Sequence, residues 1–178
     1  MKIILIGMMG SAKSTVGQLL AAEFRCAHLD LDNLIEEQTG QAIHEIFALW
    51  GEGHFRQLES EAMLALSRSA PPAVISLGGG AILNKEAMDA LRKTGKVIYL
   101  RASPSHLAMR LEHSTEKRPL LMDAPDQLVR LTEILAVRRS IYEGYADLIL
   151  DSDEKTSAIL VEEILRWCKS VKVEGRIF

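Results

Sequence analysis

Residues 3–15 read "IILIGMMGSAKST": four apolar residues, a glycine-containing turn, then a lysine and a serine that open a helical pattern. A strand ending in such a turn presents backbone N–H groups to an anion, with the following helix dipole pointing the same way. Gly7, Lys13 and Ser14 fit the phosphate-binding pattern G-x-x-x-x-G-K-[ST], with Gly10 and Ser11 inside the loop and Thr15 just after it as further nucleotide-binding candidates. In that pattern the lysine reaches the β and γ phosphates and the hydroxyl holds Mg²⁺. One residue departs from it, since Ala12 stands before Lys13 where glycine is usual. A left-handed turn there costs an L-residue roughly 1–2 kcal/mol. Spent on nucleotide binding, that is about tenfold in affinity. The methyl group is a handicap to a phosphate loop, not a veto.

Outward from this loop, short apolar runs recur at Val74–Leu77, Val97–Leu100 and Leu148–Leu150, and "HLDLD" at 28–32 adds a fifth candidate strand. Helical patterns lie between them, over Ser14–Phe24, about Gly53–Ser69 and Lys85–Lys93, the last with Asn84 as N-cap. A further helix opens at Ser103 and Pro104. A closing helix carries Leu160, Ile164 and Trp167 as an apolar stripe. Strands alternating with helices predict an α/β fold: a parallel sheet with helices on both faces and ligands at the C-terminal strand ends. The segment 113–125, "HSTEKRPLLMDAP", lacks helical periodicity and reads as a mobile lid loop with an exposed "LLM".

The chain of 178 residues, 48% hydrophobic and 25% charged, fits one soluble domain. A formal net charge of −3 argues against a nucleic-acid surface. No stretch has the length of a signal-peptide core or a membrane span, so a cytoplasmic protein without a membrane partner is expected. Cys26 and Cys168 lack metal-like spacing and read as reduced thiols. A monomer is expected, because no large apolar patch is legible outside the lid.

The acceptor side of the site draws on residues elsewhere in the chain. Asp30 and Asp32 have period-two spacing, which puts both carboxylates on one side of a strand end. One can enter the Mg²⁺ shell while the other accepts a hydroxyl proton. In "FRQLE", Arg56 and Glu59 are neighbours on one helix face; such a glutamate can hold an arginine for a bidentate grip on a carboxylate, although most such pairs are surface ion pairs. Gly78, Gly79 and Gly80 follow a strand at the ligand edge and permit close backbone approach to a small ligand. Arg118 in the lid segment and Arg138 before Tyr142 add positive charge to Lys13 and Arg56.

"GMMGSAKST", "DLD", "FRQLE", "GGGA", "RPLL" and the R-x-x-x-Y stretch from Arg138 resemble the shikimate kinase family in order and spacing, along nearly the whole chain. The resemblance implies a nucleoside-monophosphate-kinase-like three-layer sandwich, a five-stranded parallel sheet of the P-loop kinase type. It implies transfer of the ATP γ-phosphate to the 3-hydroxyl of shikimate, with Mg²⁺, on the way to chorismate and the aromatic amino acids. Asp32 then deprotonates the acceptor, and Asp30 and Ser14 attend the metal. Arg56, Arg138 and Gly78–Gly80 bind shikimate beneath a flap at about 33–60. Arg118 closes on the transferring phosphoryl group with Lys13, and Arg110 stacks on adenine. Two other readings stay open: a shikimate-binding protein with an impaired nucleotide site, and a kinase of another sugar acid such as gluconate.

Overall fold

The computed structural model describes residues 1–112, 119–122 and 125–171. Five strands form one parallel sheet: β1 (Lys2–Ile6), β2 (Ala27–Asp30), β3 (Ala73–Ser76), β4 (Gly95–Arg101) and β5 (Leu148–Asp151), in the order β2-β3-β1-β4-β5. β1 is central, with Ile4 paired to Ile75 on one side and Val97 on the other. β1 and β3, buried at every residue, read as unbroken apolar runs, while the edge strands β2 and β5 are partly exposed.

Alternate residues of β1 point to opposite faces. Ile3 and Leu5 join a core with Val16 and Leu20 of α1 (Lys13–Phe24) and with Leu160 and Ile164 of α8 (Ser157–Ser170). Ile4 and Ile6 join the larger core on the other face, with Phe55, Met63, Met88 and Leu131. Those residues come from α3 (Ile43–Arg68), α4 (Lys85–Arg92) and α7 (Gln127–Tyr145). On α8 the expected stripe holds at Leu160 and Ile164, while Cys168 is more deeply buried than Trp167. Both cysteines are free thiols.

Three local readings are corrected. The "HLDLD" strand stops at Asp30, which caps α2 (Leu31–Thr39) by accepting from the Asp32 N–H at 3.2 Å. Asp32 therefore sits on the first helical turn, not on a strand. The helix expected from Gly53 begins at Ile43 and kinks at Gly51, where φ is 77° and ψ is 171°. Third, "LLM" is not an exposed loop: a helical turn, α6, spans Pro119–Met122, with Leu121 buried in the larger core. The rest of 113–125 falls largely outside the described residues, and Arg118 with it. A short α5 (Pro104–Glu112) precedes that segment. Among the described residues no helix is long and apolar enough to cross a membrane.

Candidate active site

At the C-terminal end of β1 the chain turns at Gly7, where a Cβ would lie 2.6 Å from the Leu100 carbonyl oxygen. The turn closes through Ser11 N–H donating to Met8 O at 3.2 Å. Ala12 then takes φ 69° and ψ 20°, the left-handed geometry expected of glycine, and starts α1 with no side-chain cap. Lys13 is buried, its Nζ donating to Gly7 O (2.9 Å) and Met8 O (2.8 Å). These bonds draw the ammonium over the loop. Ser14 Oγ donates to Asp30 Oδ2 at 2.6 Å, placing a hydroxyl beside a carboxylate as a hydrated divalent cation requires. The residues present therefore fit Mg·ATP: loop amides and Lys13 for the phosphates, Ser14 and Asp30 for the metal.

Arg110, from α5, reaches the same loop. It donates to Gly10 O at 3.4 Å and to the Ser152 carbonyl at 2.5 Å. Ser152, wholly buried after β5, thus fixes a guanidinium at the rim of the phosphate loop, a partner that sequence spacing did not signal.

The acceptor side is built around the glycine turn after β3. A Cβ on Gly78 would lie 2.8 Å from Asp32 Oδ1 and 3.1 Å from Glu59 Oε1. On Gly80 a Cβ would fall 2.4 Å from the Arg56 guanidinium nitrogens. The backbone thus passes so close under two carboxylates and a guanidinium that a side chain at Gly78 or Gly80 would have to displace them. The Gly79 carbonyl accepts from Arg138 Nη1 at 3.2 Å and from Tyr142 Oη at 2.5 Å, both on α7. Tyr142 stacks on Tyr99 with ring centroids 4.8 Å apart. Burial raises its phenol far above the ordinary value, so it remains a donor.

Arg56 is held by Glu59 Oε2 at 2.8 Å and by Glu52 Oε1 at 3.0 Å. This is not the usual surface pair. Glu59 is 1% exposed, and burial, only partly offset by Arg56, pushes its carboxyl up to about 7. The negative charge of Asp32 adds to the rise.

One cavity of about 870 Å³ takes in both halves, from Lys13 and Ser14 through Asp32 to Arg56, Gly79 and Arg138. Thr15 and Arg110 also line it. An anionic polyphosphate fits one end and a small carboxylate the other, with Asp32 between them. Of the described residues expected at the site, all but Gly7 and Ser11 line this cavity, and those two shape the loop from behind, Ser11 wholly buried. Leu31, between the two aspartates, points into the core.

Comparison with known proteins agrees with this geometry. The family model described as shikimate kinase matches residues 9–169. The curated shikimate kinase of Alkaliphilus oremlandii is 38% identical over 92% of this chain and 96% of its own length. That of Pseudomonas syringae pv. tomato is 42% identical over 92% and 93%. The solved shikimate kinase from Acinetobacter baumannii in complex with shikimate superposes with a TM-score of 0.91 at 31% identity, covering 97% of this chain and 95% of that one. Phosphate loop, glycine turn and arginine pair thus share one cavity in a chain that matches these enzymes almost end to end, and the chain belongs to the shikimate kinase family.

Proposed function

We propose that the protein transfers the γ-phosphoryl group of ATP to the 3-hydroxyl of shikimate, giving shikimate 3-phosphate in aromatic amino-acid biosynthesis. The observation that carries this reading is the single cavity joining a phosphate loop to a carboxylate grip across Asp32. Bound Mg·ATP supplies the phosphoryl group, with the cation neutralising charge that builds up during transfer. Ser14 and Asp30 hold the metal, and the loop amides with Lys13 hold the phosphates. Arg56 and Arg138 take the shikimate carboxylate, Arg56 kept in place by Glu59 and Arg138 braced on the Gly79 carbonyl. Asp32 accepts the proton of the attacking hydroxyl. Arg110 faces the nucleotide base, and Arg118 contributes charge to the transferring group. Residues 33–60 serve as the substrate flap of a single domain, residues 113–125 as its lid. Ala12 leaves the turn closed and α1 started, which supports an active enzyme over a decayed one. The enzyme works as a cytoplasmic monomer, a state that light scattering checks.

Purified protein with Mg·ATP and shikimate is expected to release ADP and form shikimate 3-phosphate in equal amounts, read by a coupled assay and mass spectrometry. No product above background, or faster turnover of gluconate, refutes this function.

A further inference from the structure

His28 stands on β2, outside every role assigned above, and the sequence carries no signal for it. Its Nε2 lies 2.9 Å from Ser76 Oγ, and Ser76 Oγ donates to the Lys13 carbonyl at 3.1 Å. A hydroxyl has one proton to give and a carbonyl has none. Ser76 therefore accepts from His28, and the imidazole carries its proton on Nε2. Gly17 makes the contact close: a Cβ there would lie 2.4 Å from His28 Nε2 and 2.7 Å from Ser76 Oγ. So α1 rests directly on the imidazole and the hydroxyl, in the turn that follows Lys13 and Ser14. The same strand that carries Ser76 runs on through Leu77 into the Gly78–Gly80 turn. α1 starts without a side-chain cap, and this tie fastens the Lys13 backbone to β3 beside the Ser14–Asp30 bond to β2.

We propose that His28 is a positioning residue for phosphoryl transfer. By donating to Ser76 it orients the hydroxyl onto the Lys13 carbonyl and fixes the first turn of α1 against the strand that forms the acceptor floor. The proposal rests on the reading of residues 7–15 as the nucleotide loop. It does not depend on which acid is phosphorylated.

The test is calorimetric binding of ADP and, separately, of shikimate. His28→Leu is expected to weaken ADP about fivefold, the scale of one net hydrogen bond, and to change shikimate binding less than twofold. His28→Gln keeps an N–H donor and is expected to restore ADP affinity to within twofold of the unaltered protein. Because His28 acts through Ser76, adding His28→Leu to Ser76→Ala is expected to change ADP affinity no further. Equal ADP binding by the unaltered protein and His28→Leu, or additive losses in the double variant, would overturn the proposal alone. Failure of the unaltered protein to bind ADP would overturn it together with the nucleotide-loop reading. Should His28→Leu not fold, ¹⁵N NMR of the unaltered protein still decides: an Nε2–H imidazole supports the relay and an Nδ1–H imidazole refutes it.

Discussion

Replacing Ala12 by glycine separates two costs that the methyl group imposes. The first is conformational: at φ 69° and ψ 20° an alanine is strained by about 1–2 kcal/mol. This geometry is part of the fold, since Val16 N–H donates to Ala12 O at 3.0 Å in the first bond of α1. Against the relief, glycine gives up about 0.5–1 kcal/mol by enlarging the unfolded ensemble. The half-buried methyl also packs on the core beneath α1, and its loss removes about 0.4 kcal/mol, half of one fully buried methylene. At mid-range the balance favours glycine by about 0.35 kcal/mol, or about 1 °C in Tm for a chain of this size. Ala12→Val reverses the sign, because a β-branched residue is a true outlier at positive φ, and a fall of about 4 °C is expected. Differential scanning calorimetry without nucleotide reads this conformational cost. The second cost, contact between the methyl and a phosphate oxygen, is read by ADP calorimetry as tighter binding in Ala12→Gly. A Tm order other than glycine, alanine, valine from highest to lowest would refute the strain argument.

Gly78→Ala places a methyl within 3.1 Å of both Asp32 and Glu59, so turnover is expected to fall at least about a hundredfold, with ADP affinity within threefold; retained turnover would show that the carboxylates can step aside. The raised Glu59 carboxyl favours folding in its protonated form: its contribution is complete below its ordinary value of 4.5 and is lost as pH rises through about 7. The loss amounts to about 3 kcal/mol. Urea melts across this window are expected to show a flatter profile in Glu59→Gln, and matching profiles would refute the assignment. Asp30→Asn is expected to raise the Mg²⁺ concentration for half-maximal turnover about tenfold, tested by titrating the metal at saturating ATP.

What was legible in the chain was what depends on local pattern. Ile3–Ile6, Val74–Leu77 and Val97–Leu100 announced buried parallel strands to within a residue or two, and Asn84 does cap α4 through Ala87 N–H at 3.0 Å. The α7 helix was not legible as a helix, because Leu128, Val129 and Val137 are exposed on it while Leu131 and Leu135 are buried. Apolar residues on all sides leave no periodicity to read. In "DLD" the spacing was real, but Asp30 was doing the work of a helix cap, and a cap signal and an alternating strand look alike over three residues. For the site, residue types were recoverable and their environments were not. The Arg56–Glu59 pair looked like any surface pair until the fold buried Glu59. Tyr142 and Ser152 hold their partners across more than 40 residues of chain, a relation that no local spacing encodes.

The turn at Gly78–Gly80 has consequences for resistance. At Gly78 and Gly80 a new side chain would collide with charged groups of the site, and the Gly79 carbonyl answers to both Arg138 and Tyr142. An inhibitor that draws its affinity from the peptide groups of this turn would contact atoms that substitution does not change in kind. A substitution at Gly78 or Gly80 that blocked it would also have to displace Asp32, Glu59 or Arg56, which disturbs the grip on the natural acceptor as well. The positions with no side chain are therefore where a population under drug pressure has least room to drift.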